Sequence, residues 1–149
     1  MKDSSIQETA WFFIFSHHDR RHLDRCLRIP FRNREFFLCA RCTGIISGFL
    51  IHLFLLRMLL TYNLFTGNVL LFLLPLLPVA DWITQRLGYR ESVNWIRVST
   101  GFLLGSDFAY RLLRFLNNFS DAYVLLSSAL YLFAVFLAAL IAFRKFHTF

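Results

Sequence analysis

Residues 122–143 form a run of twenty-two amino acids without one charge, closed by Asp121 at one end and by Arg144 and Lys145 at the other. As an α-helix, at about 1.5 Å per residue, such a run crosses a hydrocarbon core of roughly 30 Å with some tilt. Covering its whole perimeter with protein would take a larger chain than these 149 residues, 57% of them apolar and 19 of them Phe. A lipid-facing exterior is the simpler solution, in one compact unit.

Three further segments fit the same reading. Residues 43–60 are apolar except for His52 and Arg57, and residues 64–83 contain Pro75 and Pro78, which predict a kink because proline removes backbone donors. Residues 94–116 carry Arg97, Asp107, Arg111 and Arg114 and are the weakest span by hydropathy; leaving them out gives three spans and moves the C-terminus across the membrane. Lysine and arginine arithmetic favours four spans. The segment before Thr43, the 84–97 connection and the C-terminal tail together hold thirteen basic residues, against Arg111 and Arg114 at the opposite end. Positive charge marks the cytosolic side, so both termini are expected there.

The formal charge of +7 is concentrated. Arg20, Arg21, Arg25, Arg28, Arg32, Arg34 and Arg41 fall within twenty-two residues that abut an apolar segment. That position suits a topology signal and attraction to anionic inner-leaflet lipids better than nucleic acid, which is not expected as a partner. Residues 11–15 are too short for the apolar part of a signal peptide and read as an interfacial anchor on the inner leaflet. The expected fold is therefore all-α: an integral membrane four-helix bundle in one domain. Residues 1–42 are its interfacial, basic segment with a Cys-containing cytosolic-side loop, and residues 43–149 are its four spans.

Some residues are costly to keep in such helices. Gly44 and Gly48, and Gly101 and Gly105, are four apart and let another backbone approach, most simply by packing the first and third spans together. A homo-oligomeric seam is the alternative. Arg57 and Asp107 are the deepest charges, at similar depth from the cytosolic face, and are expected to pair unless Arg111, four residues after Asp107, takes that role. A proton or substrate relay through His52 is the functional reading of the same residues.

Cys26, Cys39 and Cys42 are the chemically suggestive set. A CxxC brings two sulfurs within reach of one metal ion or of a reversible disulfide, and Cys26 supplies a third. His22, four residues before Cys26, would share its face on a helix and complete a Cys3His zinc set; His17 and His18 are further candidates. A thiol-disulfide oxidoreductase using Cys39 and Cys42, with Cys26 resolving, is the enzymatic alternative. A small transporter or lipid-binding protein built around Asp81, Arg97, Asp107 and Arg57 is a third. Asp81, Gln85, Glu91, Ser92, Asn94 and Arg97 gather by topology on the face that carries the cysteines, and could line a pocket or cap helix ends. No nucleotide loop, metalloprotease helix or serine-hydrolase elbow is present in the sequence.

The stretch Cys39-Ala-Arg-Cys-Thr-Gly-Ile45, with Gly48 after it, resembles the signature of domain-of-unknown-function family 2085, small prokaryotic membrane proteins. A second block, Asp81 to Gly88 followed by Arg90, Ser92, Asn94, Arg97, Gly101 and Gly105, fits as well, so the resemblance covers about residues 26–105. Leu27 stands where the family commonly has His, and Ala80 where it commonly has Pro before the Asp. The resemblance implies a prokaryotic integral membrane protein and brings no activity with it.

Overall fold

The computed structural model describes residues 25–31, 34–56, 64–91 and 93–147. A β-hairpin leads into five α-helices. The strands are β1 (Cys26–Phe31) and β2 (Arg34–Cys39); the helices are α1 (Ala40–Ile51), α2 (Leu64–Leu73), α3 (Leu76–Arg86), α4 (Asn94–Asn117) and α5 (Ala122–His147). A π-helical turn, His52–Leu56, continues α1. The residues near 11–15, together with His17, His18, His22 and Arg57, lie outside the described residues.

The hairpin corrects the all-α expectation. The Ile and Phe residues of CLRIPF and REFFLC suit a two-stranded ladder, paired antiparallel from Cys26 opposite Cys39 to Phe31 opposite Arg34. Arg28 and Phe37 are register partners, and the guanidinium stands 5.7 Å from the ring centroid. The cysteines are therefore carried by strand ends and a helix start rather than by a loop.

α1 and α4 run parallel along a seam of small residues. A side chain at Gly44 would overlap the Val98 carbonyl, one at Gly48 the Phe102 carbonyl, and one at Gly105 the Ile45 carbonyl. The two glycine pairs thus pack the first and third apolar segments on each other, as their spacing predicts. Ser106 adds a hydroxyl donated to the Gly48 carbonyl at 3.4 Å.

α2 and α3 are one apolar rod broken at Leu74–Pro75. Pro75 has no N–H, so the Leu71 carbonyl loses its helical partner. Arg111 Nη2 of α4 donates to that oxygen at 2.8 Å, and the Tyr131 hydroxyl of α5 donates to the Phe72 carbonyl. Side chains of two other helices thus repair the break, around a buried cluster of Leu71, Tyr110 and Val124. α3 ends in a Schellman motif: Gly88 takes φ 76°, its N–H reaching the Gln85 carbonyl (3.1 Å) and that of Tyr89 the Thr84 carbonyl (3.0 Å). Asp121 caps α5, its Oδ1 accepting from the N–H groups of Tyr123 (3.0 Å) and Val124 (3.3 Å).

Among the described residues, two helical stretches are long and apolar enough to cross a membrane: Gly67–Arg86, which spans α2 and α3, and Ala122–Lys145. The apolar helix Ala40–Phe54 is shorter. α5 presents Leu132 (70% exposed), Phe133 (64%) and Phe136 (59%) outward, a surface that a water-soluble fold would cover.

Candidate functional site

At the end of the molecule where the hairpin meets α1, one buried carboxylate collects donors from three directions. Asp81, 3% exposed, accepts at Oδ2 from Arg41 Nη2 (2.9 Å) and Gln85 Nε2 (2.6 Å), and at Oδ1 from Arg90 Nη2 (2.6 Å). The Thr100 hydroxyl of α4 approaches the same carboxylate at 3.4 Å. The Gly88 turn makes the Arg90 contact feasible, because the left-handed residue reverses the chain beyond α3 and brings residue 90 back along it. Arg41 lies between the two cysteines of the CxxC, so the pair is fastened to α3 through a salt bridge.

The three cysteines come together. Cys26 and Cys39 are register partners at the open end of the hairpin, both buried, and Cys42 follows Cys39 by one helical turn. None of the three is joined in a disulfide. Desolvation pushes the Cys42 thiol up to about 11, reinforced by a hydrogen bond with Cys39 and by the Cys39 and Cys26 sulfurs, against the opposing pull of Arg41. Asn94 Nδ2 donates to the Cys26 carbonyl at 3.4 Å, and Arg97 Nη1 donates to Asn94 Oδ1 at 3.2 Å. The hairpin is thereby held against the start of α4.

The expectation that His22 and Cys26 share a helix face is not met at Cys26, which opens a strand rather than lying on a helix; His22 is outside the described residues. Among the described residues, no group of three His, Cys, Asp or Glu side chains is arranged to hold a metal ion.

A chemical consequence follows for metal-free protein. With the Cys42 thiol pushed up to about 11 by burial, it offers at least about tenfold less thiolate at pH 8 than a free cysteine. Alkylation of Cys42 in chelator-treated folded protein should be correspondingly slow at pH 8 and accelerate toward pH 11. The thiol's contribution to stability is full below pH 9 and is lost as pH rises through 11. Mass-spectrometric rate profiles matching those of the denatured chain would contradict this.

Asp107 belongs to a different cluster, toward the opposite end of α4. Its Oδ2 accepts from Arg111 Nε at 2.7 Å, so the helical neighbour is its partner; Arg57 lies outside the described residues. Arg111 Nη1 also donates to the Ser127 and Ser128 hydroxyls (2.7 and 2.8 Å). Nearby, Arg114 links Asn68 (2.7 Å) to Asp121 (Nε, 2.8 Å). His52 is buried, with its ring 5.8 Å from that of Tyr110. Asp81 and Asp107, both named for a transporter or lipid-binding site, thus fall in separate clusters. Sequence reasoning passed over Arg41 and Thr100 as Asp81 partners; Arg41 sits inside the CxxC, but only the fold aligns it with Asp81.

A cysteine-bearing hairpin joined to apolar, membrane-length helices fits a small helical membrane protein. Residues 20–110 match the family described as predicted membrane protein (DUF2085), and the chain belongs to it. An uncharacterised protein of Methanothermobacter thermautotrophicus is 42% identical over 80 residues, 53% of this chain and 71% of that protein. Another, from Methanocaldococcus jannaschii, is 33% identical over 97 residues, 59% of this chain and 61% of that protein. No solved structure matches.

Proposed function

We propose that the protein is a four-span membrane protein whose Cys26, Cys39 and Cys42 take up one thiophilic metal ion, zinc foremost, at the cytosolic boundary. The observation that carries the reading is the placement of three thiols, with Cys26 opposite Cys39 across the ladder and Cys42 one turn into α1. Crowded thiols resist ionising next to one another, and a divalent cation removes that penalty by holding all three as thiolates. Loading requires the sulfurs to shed protons and draw together, with a fourth ligand from His22, His18 or water. Arg41, tied to Asp81, anchors the helix end on which Cys39 and Cys42 sit.

Thiol redox chemistry is the second reading. It would use the Cys39–Cys42 pair, one helical turn apart, with Cys26 as the resolving thiol. Elemental analysis of protein purified reduced and anaerobically in detergent separates the two. About one zinc per chain is expected, with none in the Cys39→Ser/Cys42→Ser variant. Metal-free wild-type protein showing a redox-dependent alkylation shift would replace the first reading with the second.

A further inference from the structure

Between α3, α4 and α5 lies a cavity of about 210 Å³ lined by Pro78, Val79, Trp82, Leu104 and Val135, with Arg41 and Thr100 as its polar wall. Its walls are almost wholly hydrocarbon. Arg41 spends only Nη2 on Asp81 and Gln85; among the described residues its Nε and Nη1 carry no hydrogen bond, and its side chain is 28% exposed. One carboxylate here faces two guanidiniums, since Arg90 shares Asp81 with Arg41. Arg97 lies in the first turn of α4 and Lys145 in the last turn of α5, where its ammonium donates to the Leu87 carbonyl just beyond α3. An apolar slot headed by a cation with donors to spare fits an amphiphile with an anionic head.

We infer that this cavity is a binding site for an anionic phospholipid, its headgroup on Arg41 and part of one acyl chain in the slot beside Trp82. The lipid would come from the leaflet on the hairpin's side, where the apolar helices end. Charge complementarity selects the headgroup, and the hydrocarbon walls require a chain rather than a free anion. The slot shares Arg41 with the CxxC, but Leu104 and Val135 lie on α4 and α5, which carry no cysteine, so filling it there leaves the three thiols in place.

Trp82 reports on its own cavity. The Trp11→Phe/Trp95→Phe protein keeps it as the single tryptophan of the three in the chain. This protein is reconstituted in phosphatidylcholine vesicles containing dibrominated phosphatidylglycerol or, at equal mole fraction, dibrominated phosphatidylcholine. Quenching of Trp82 by the anionic lipid is expected to be about threefold or more stronger, an apparent preference of the size a charge-assisted contact supports. Leu104→Phe and Val135→Phe, which fill the slot from different helices without changing any charge, should each bring the ratio close to one, with zinc content unaltered. Equal quenching in the parent overturns the proposal. So does a preference that survives both fillings, which would reduce it to general attraction by the basic surface. Suppression by millimolar inorganic phosphate would assign the site to a free anion and overturn the lipid.

Discussion

Gly48→Leu is expected to separate α1 from α4 and to cost the folded protein about 3 kcal/mol or more, since the added side chain meets backbone rather than a movable side chain. Even the first carbon of that side chain would overlap the Phe102 carbonyl, with the Phe102 Cα at 2.9 Å. Neither helix can move away cheaply. α1 is held at its start by the Arg41 bridge to Asp81, and α4 by the Thr100 approach to the same carboxylate and by Ser106 on the Gly48 carbonyl. Unfolding in mixed micelles by SDS titration reads the effect, with Ile46→Ala, on an exposed face of α1, as the control near zero. A Gly48→Leu protein as stable as that control would mean the glycine seam does not hold the two helices together.

Arg111→Leu should cost about 3–5 kcal/mol, the range for stripping one partner from a buried ion pair. Arg111 and Asp107 are 12% and 3% exposed in their side chains, and Asp107 Oδ1 has no hydrogen-bond partner among the described residues. Removing the guanidinium leaves the whole carboxylate unsupported and strips the Leu71 carbonyl that Pro75 has already deprived of its helical donor. Arg111→Lys should recover only part of the loss, because one ammonium cannot span Asp107, the two serines and the carbonyl together. Adding Asp107→Leu to Arg111→Leu should restore stability relative to the single variant. Additive losses in this cycle, measured in the same titration, would show that the two residues are not coupled.

These effects concern features of unequal visibility in the sequence. The glycine pairs, the proline break and the uncharged run at residues 122–143 follow local rules of spacing and composition, and the structure bears them out in the α1–α4 seam, the Leu74–Pro75 interruption and α5. The hairpin was not legible. Its strands are six residues each, amid arginines that read equally well as a basic surface helix, and their pairing joins residues up to thirteen positions apart. Asp107 is the opposite case: Arg111, four residues on, is legible as a partner from helical spacing and holds it.

Composition and short-range order decided that this chain makes apolar helices, where they are close-packed and where one of them breaks, because each of those outcomes depends on residues within a turn or two. Membership in the family was likewise written in two contiguous blocks. The meeting of those blocks belongs to the tertiary structure, in which Arg41 reaches Asp81 across forty positions; so does the contact of Asn94 with Cys26, ahead of the first block, across sixty-eight. No periodicity encodes such contacts. They arise because a buried carboxylate and freed carbonyls must find donors, and folding brings the donors from other helices to them.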